Sequence, residues 1–147
     1  MGTKYDDSML QNETGLSQAK LDLQKAELNL AIIKANGYGH GVFAAAKAAA
    51  EAGASWLGVA RIEEALNLRA VGIQSNMMVL GYTPPILIPE AIQNDIHVAI
   101  YDPDMAQAYV SYAENVKGRL KAHLKIETGM GRLGMAPELA HDFLYAH

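Results

Sequence analysis

The chain has 147 residues, of which 50% are hydrophobic and 19% are charged, a composition typical of a soluble globular domain. Twelve basic and sixteen acidic residues give a net charge of −4, which argues against a nucleic-acid partner because phosphate binding requires a basic patch. The absence of cysteine excludes disulfides, and no apolar run reaches the roughly 18 residues of a membrane span. We therefore expect a cytoplasmic protein without a membrane partner.

The N-terminal part of the chain divides into a polar segment and a periodic one. Residues 1–15 are polar and contain two glycines, which predicts a loose tail. From Leu16 to Leu30, apolar residues recur every three or four positions and charged residues occupy the positions between them. This pattern predicts an amphipathic helix that leads into the first strand, with residues 16–147 forming one domain.

Beyond this helix the chain alternates between apolar runs and helical patterns. Five apolar runs predict strands at 30–33, 56–60, 77–81, 97–102 and 120–128. The second and third runs are apolar throughout, which indicates strands that are covered on both faces.

Helical patterns separate and follow the strands, at about 42–52, 62–71, 86–94, 103–115 and 137–146. Pro103 suits the first turn of its helix, and Asp102 precedes it as a candidate cap. Strands that alternate with helices at this spacing favour an α/β fold with a parallel sheet. Two architectures have this pattern, an open doubly wound sheet and part of a (β/α)₈ barrel, which needs about 250 residues when complete. The periodicity does not distinguish them.

The stretch LNLAIIKANGYGHGV carries the strongest chemical signal. Lys34 ends the first apolar run, and the simplest interpretation is a surface lysine that closes a strand. Three neighbours favour a ligand site instead, since Gly37, Gly39 and Gly41 allow close approach of the backbone. Tyr38 adds a hydroxyl group, and the following helix can present its amides to an anion. An amine beside an anion site can hold a ligand that has both an aldehyde and a phosphate, which is the chemistry of pyridoxal phosphate.

A second glycine-rich stretch, KIETGMGRLG, follows the last predicted strand. It matches G-x-G-x-x-G, but the dinucleotide interpretation is poor because the next helix begins only near Pro137. Lys125 and Glu127 alternate on one side of the strand end, and Arg132 follows in the loop. They form either a solvated strand end or a polar cluster on the same rim as Lys34, since carboxyl ends of parallel strands line ligand sites.

Other patterns have ordinary structural interpretations. RIEEALNLR predicts a half-buried helix with Glu63 and Glu64 on its polar side. Glu138 and His141 have the spacing of half a di-iron motif, but no second copy exists. The five histidines show no ligand spacing, so we predict no metal site.

Three segments resemble the motifs of bacterial alanine racemases: AIIKANGYGHG, AGASWLGVARIEEALNLRAVGI and HLKIETGMGRLG. They occur in the family's order within about residues 30–140. The resemblance implies a fold-type III pyridoxal phosphate enzyme that interconverts L-alanine and D-alanine for the cell wall. It further implies a (β/α)₈ barrel, a β-rich C-terminal domain and a homodimer.

The resemblance also implies roles for individual residues. Lys34 matches the lysine that carries pyridoxal phosphate and serves as one of the two bases for the α-proton. Tyr38 matches the tyrosine that hydrogen-bonds the phosphate, and Arg132 matches the arginine near the phenolic oxygen of the cofactor. Lys125 matches a lysine that some members carbamylate to orient this arginine, whereas Glu127 replaces the usual aspartate.

Two parts of the family pattern have no counterpart in the sequence. Residues 1–27 do not resemble the opening strand, and the opposite-face tyrosine and the β domain would follow His147. We therefore expect a partial barrel of about five βα units that is not closed, with low stability and nearly no activity alone. The alternatives are a non-catalytic fragment that binds the cofactor or another protein, and a racemase or decarboxylase of the same fold type for another amino acid.

Overall fold

The computed structural model describes residues 30–114 and 116–146, together with Ser17. The predicted tail lies outside the described residues, as does the predicted first helix apart from Ser17 and Leu30, and Leu30 begins the first strand. The strands are β1 Leu30–Ile32, β2 Trp56–Val59, β3 Asn76–Val79, β4 Ile96–Ile100 and β5 Ala122–Leu124. The helices are α1 Val42–Glu51, α2 Ile62–Ala70, α3 Ile88–Gln93, α4 Pro103–Ala113 and α5 Pro137–Ala146. No described helix is long and apolar enough to cross a membrane.

The five strands form one parallel sheet in which each strand pairs with its successor along the chain. A doubly wound sheet reverses its strand order at a switch point, and this sheet has no such reversal. Right-handed crossovers between successive neighbours place the connecting helices on one face. The described sheet is therefore an open arc of a βα barrel, which settles the choice that periodicity left open.

The main core lies between the sheet and its helices. Alternate residues of the three central strands point towards the helices and are fully buried: Leu57, Val59, Met77, Val79, Ile96 and Val98. Ala46, Ala65 and Leu68 of the helices meet them at 0% exposure. Burial of this apolar face is the main stabilising contribution, at about 25 cal/mol per Å² removed from water.

Helix α4 begins as its sequence predicts. The Asp102 carboxylate accepts a hydrogen bond of 3.1 Å from the Met105 amide, and Pro103 occupies the first turn. The buried Tyr109 hydroxyl donates to the Thr83 carbonyl at 2.8 Å and so ties α4 to the loop after β3.

The fifth strand is shorter than its apolar pattern predicts. It ends at Leu124, and Ile126 instead makes an isolated parallel bridge with Met135. The Lys125 carbonyl accepts from the Met135 amide at 2.8 Å, so the backbone beyond β5 closes a loop on itself.

The Arg69 side chain joins two connecting segments at the amino ends of the strands, one before β3 and one before β4. Its guanidinium donates to the Ile73, Ser75, Asn94 and Asp95 carbonyls at 2.6 to 3.1 Å. Partial burial lowers its pKa, and the Asp95 charge opposes that shift. These bonds satisfy carbonyl groups at the ends of α2 and α3, where no helical partner remains.

The opposite sheet face is only partly covered in the described residues. Gly58 is buried there, and a Cβ atom at this position would stand 2.6 Å from Ile32 Cδ1. Leu30 and Ile32 are 39% and 37% exposed on this face. On β2 itself Trp56 is half-buried and Gly58 is buried, so the prediction that both faces are covered holds for this strand. On β3 it holds only for the helix side, since Asn76 is exposed and Met78 is half-buried on the other face.

A ring cluster occupies the same face. His97 Nδ1 and His123 Nε2 lie 2.9 Å apart and share a hydrogen bond, and Trp56 packs edge-on against both rings. Burial lowers the pKa of His97, the positive charges of His123 and Lys121 add to this, and Asp95 acts in the opposite direction.

We predict that Arg69→Met lowers the free energy of unfolding by about 2 kcal/mol, because it leaves several partly buried carbonyl groups without their charged donor. Urea unfolding measures the change. Arg119→Met is the control because Arg119 is exposed. Equal stability of the two variants would contradict the structural role of Arg69.

We predict that stability falls as the pH drops below about 6.5, the ordinary histidine pKa. The unfolded chain takes up a proton there more readily than folded His97, whose pKa is lowered, so protonation favours unfolding. Urea unfolding between pH 7.5 and 5 should give a shallower pH dependence for His97→Asn than for the unsubstituted chain. His141→Asn, at an exposed histidine, should leave the dependence unchanged.

Candidate active site

A cleft of about 400 Å³ lies at the carboxyl ends of the strands. Its walls come from the ends of β1, β2 and β3 and from the loop after β5, and they consist of Ile32, Lys34, Tyr38, Ala60, Leu80, Gly81, Lys125, Arg132 and Leu133. The four residues that the sequence analysis assigned to the site, Lys34, Tyr38, Lys125 and Arg132, all line this one cleft. This is the rim where βα barrels bind their ligands.

Lys34 begins a left-handed turn that the sequence analysis did not anticipate. Ala35, Asn36, Gly37 and Tyr38 all have positive φ, between 52° and 62°. Left-handed helical geometry costs about 1–2 kcal/mol for each residue with a Cβ atom. Such backbone strain persists only where the surrounding structure enforces it, and it concentrates at functional sites.

Asn36 is the hydrogen-bonding centre of this turn. Its side-chain oxygen accepts from the Val42 amide at 2.9 Å, and its carbonyl accepts from the Gly39 and Gly41 amides at 3.2 and 2.9 Å. The sequence predicts that the first amide of α1 can bind an anion, but in the structure this amide already donates to Asn36. Asn36 was missed, although asparagine beside glycine is a known signal for left-handed backbone.

Gly37 lets the turn pack against α1. It is buried at φ 62°, and a Cβ atom would come within 3.0 Å of Ala45 Cβ. A side chain here would push the turn away from α1, and Lys34 and Tyr38 would move with it.

Glu127 organises the loop that carries Arg132. Its carboxylate accepts from the Gly129 amide at 2.6 Å and from the Gly131 amide at 3.1 Å. These amides, Gly131 first, lower the pKa of the Glu127 carboxyl. Because the carboxylate occupies both amides, this glycine loop does not offer them to a dinucleotide pyrophosphate.

The cleft has a marked excess of positive charge. Lys34, Lys125 and Arg132 line it, whereas no carboxylate does among the described residues. Within the described residues, none of the three cations makes an ion pair. Arg132 Nη2 contacts Met130 Sδ at 2.6 Å. The arrangement suits an anionic ligand that also carries a carbonyl carbon for an amine.

A second cleft of about 390 Å³ adjoins the first and shares Arg132 and Leu133 with it. Tyr82 and Tyr101, which follow β3 and β4, line this second cleft. Burial raises the pKa of Tyr101, and the neighbouring Tyr82 and Asp102 add to the effect, so its phenol remains a donor near neutral pH. Sequence reasoning missed both tyrosines. Tyr82 directly follows the predicted third strand, whereas Tyr101 lies within the predicted fourth strand, which the structure ends at Ile100.

Comparison with known proteins places the chain in a family. The alanine racemase N-terminal domain matches residues 15–147. The alanine racemase of Symbiobacterium thermophilum is 43% identical over 115 residues, which are 78% of this chain and 30% of that protein. The crystal structure of alanine racemase from Bacillus anthracis with bound L-Ala-P overlays with a TM-score of 0.73 and 35% identity, over 80% of this chain and 30% of that chain.

A racemase for a different amino acid has a similar fold. Histidine racemase from Leuconostoc mesenteroides subsp. sake overlays with a TM-score of 0.74 at 29% identity, over 83% of this chain and 35% of that chain. The chain spans about 30% of the length of the curated relatives that it matches. These comparisons confirm the resemblance and the partial barrel fold. Because the family domain matches nearly the whole sequence and the fold overlays on solved racemases, this chain belongs to the alanine racemase family.

Proposed function

We propose that the protein carrying this sequence interconverts L-alanine and D-alanine with pyridoxal phosphate, which Lys34 holds. The observation that carries the proposal is the convergence of Lys34, Tyr38, Lys125 and Arg132 on one cleft from opposite ends of the described sheet. The family membership supports it.

The residues of the cleft fit this cofactor. Lys34 supplies a primary amine for the aldehyde, and Tyr38 supplies a hydroxyl group for the phosphate. Arg132 supplies a planar donor for the anionic ring oxygen. The excess of positive charge matches the negative charge of the phosphate group. When bound, pyridoxal phosphate withdraws electrons from the α-carbon of an amino acid and so acidifies its α-proton.

Lys34 then acts as a base towards the α-proton on its own side of the substrate. Racemisation needs a proton-transfer group on each side, and such groups typically contribute 10²–10⁴-fold to the rate. The left-handed turn fixes where the backbone of Lys34 stands, and reactive geometry depends on such fixed positions.

Lys125 and Arg132 have a joint role in the proposal. A carbamate on the Lys125 amine would place a negative charge in the same cleft as the Arg132 guanidinium and orient that donor. Glu127 does not replace that charge, because its carboxylate binds the amides of its own loop.

The biological setting follows from the same resemblance. We place the reaction in the cytoplasm, where it supplies D-alanine for peptidoglycan, and we propose a homodimer as the working form. The lack of cysteine suits a reducing compartment.

A second candidate function is racemisation of another amino acid. The overlay with histidine racemase supports this alternative, since one fold serves two substrates. A non-catalytic module that binds the cofactor or another protein is the third candidate.

The first test is the covalent adduct with the cofactor. We predict that borohydride reduction after incubation with pyridoxal phosphate labels the 147-residue chain at Lys34, because this amine lines the anion-binding cleft. Peptide mass spectrometry locates the label. Lys34→Ala should abolish it, whereas Lys47→Ala, at a lysine 75% exposed on α1, should not. Labelling spread over surface lysines with none at Lys34 would refute the cofactor assignment.

The second test separates the candidate functions. We predict that the chain with pyridoxal phosphate exchanges the α-proton of alanine for deuterium slowly, but faster than that of histidine, in deuterated water, because Lys34 serves only one side of the substrate. Lys34→Ala should lower the rate to that of free cofactor. Proton NMR follows the exchange, and chiral chromatography follows the enantiomers. Faster exchange of histidine would favour the second candidate. Adduct formation without any exchange above free cofactor would favour the non-catalytic module.

A further inference from the structure

We propose that Glu64 is a positioning residue for the cofactor site: its carboxylate fixes the left-handed turn and thereby directs Lys34 and Tyr38 into the cleft. The inference rests on the proposed function for the role of Lys34, but its structural part concerns the turn alone. Glu64 does not line the cleft, so it acts through the backbone of the turn.

The Glu64 carboxylate joins two loops that are distant in sequence. One oxygen accepts from the Asn36 amide at 3.3 Å. The other accepts from the Ala60 amide at 2.8 Å and from the Arg61 amide at 3.2 Å. A single half-buried side chain therefore ties the turn after β1 to the loop after β2, and both segments contribute to the cleft wall.

The turn takes one of its hydrogen-bond acceptors from outside its own segment. The Gly37 amide donates to the Ile33 carbonyl at 2.9 Å, within the segment itself. The Asn36 amide has its acceptor in Glu64 instead, on a different βα unit. Asn36 also supplies the oxygens that hold Gly39, Gly41 and Val42, so a shift at its amide moves the whole turn.

Glu64 contributes both to the position of the turn and to the stability of the fold, and the two contributions can be measured separately. Asn36 is exposed, so water can replace the lost acceptor and the fold can survive. Glu64 also accepts the amides at the start of α2, which is a structural contribution. The experiment must therefore measure the effect on the turn and the effect on helix α2 separately.

Glu64→Gln makes this distinction. Glutamine keeps one acceptor oxygen for Ala60 and Arg61, but its amide nitrogen is a donor and cannot accept from the Asn36 amide. Glu63→Gln is the matched control, since it removes the same charge from the neighbouring, exposed position of α2. Glu64→Asp is the second variant, because it keeps the charge and shortens the side chain by one methylene group.

The primary measurement is amide hydrogen exchange in the chain without cofactor. We expect amides of the segment 35–39 to exchange about tenfold faster in Glu64→Gln and Glu64→Asp than in the unsubstituted chain. Glu63→Gln should leave them unchanged, and amides of β3 and β4 should remain protected in every variant. Unchanged exchange of the turn in both Glu64 variants would overturn the proposal.

The second measurement is the pyridoxal phosphate concentration that gives half-maximal reduced adduct at Lys34. We expect it to rise about tenfold in Glu64→Gln and to stay constant in Glu63→Gln. A looser turn with an unchanged half-maximal concentration would overturn the positioning role. If the unsubstituted chain forms no adduct at Lys34, the proposed function fails, and the exchange rates alone decide whether Glu64 fixes the turn.

Discussion

Each strand of the sheet pairs with the next strand along the chain, and one sheet face is buried beneath the connecting helices. This constraint brings the carboxyl ends of all the strands to one rim. Lys34 and Arg132 stand near opposite ends of the described chain, yet they line the same cleft because their strands belong to one parallel arc. The apolar contacts between the sheet and its helices therefore determine the positions of the polar groups at this rim.

The site concentrates features that are unfavourable for stability. Four successive residues adopt left-handed backbone, and three cations share a cleft without a lining carboxylate among the described residues. Backbone amides donate hydrogen bonds to the side chains of Asn36, Glu64 and Glu127 and so hold the loops in place. Preorganised strain and unpaired charge are typical of sites that bind a charged ligand, since the bound anion relieves the repulsion.

The opposite sheet face has a different character. Trp56, His97 and His123 form a ring cluster near the amino ends of the strands, away from the cleft. Its partial burial makes the fold sensitive to pH through His97. The histidine that makes stability depend on pH therefore lies on the sheet face and does not line the cleft.

The sequence by itself determined the βα alternation, the place of Lys34 beyond the first strand, and the family resemblance that pointed to Tyr38, Lys125 and Arg132. These features are local, since periodicity and short motifs report which residues are buried and which chemistry they carry. Only the tertiary structure decided the strand order, because burial patterns do not identify neighbouring strands. It also decided the left-handed turn at Ala35 and the contact from Glu64 to Asn36. Asn36 beside Gly37 is a local signal for the turn, but the contact joins residues 28 positions apart, and no local propensity records such a bond.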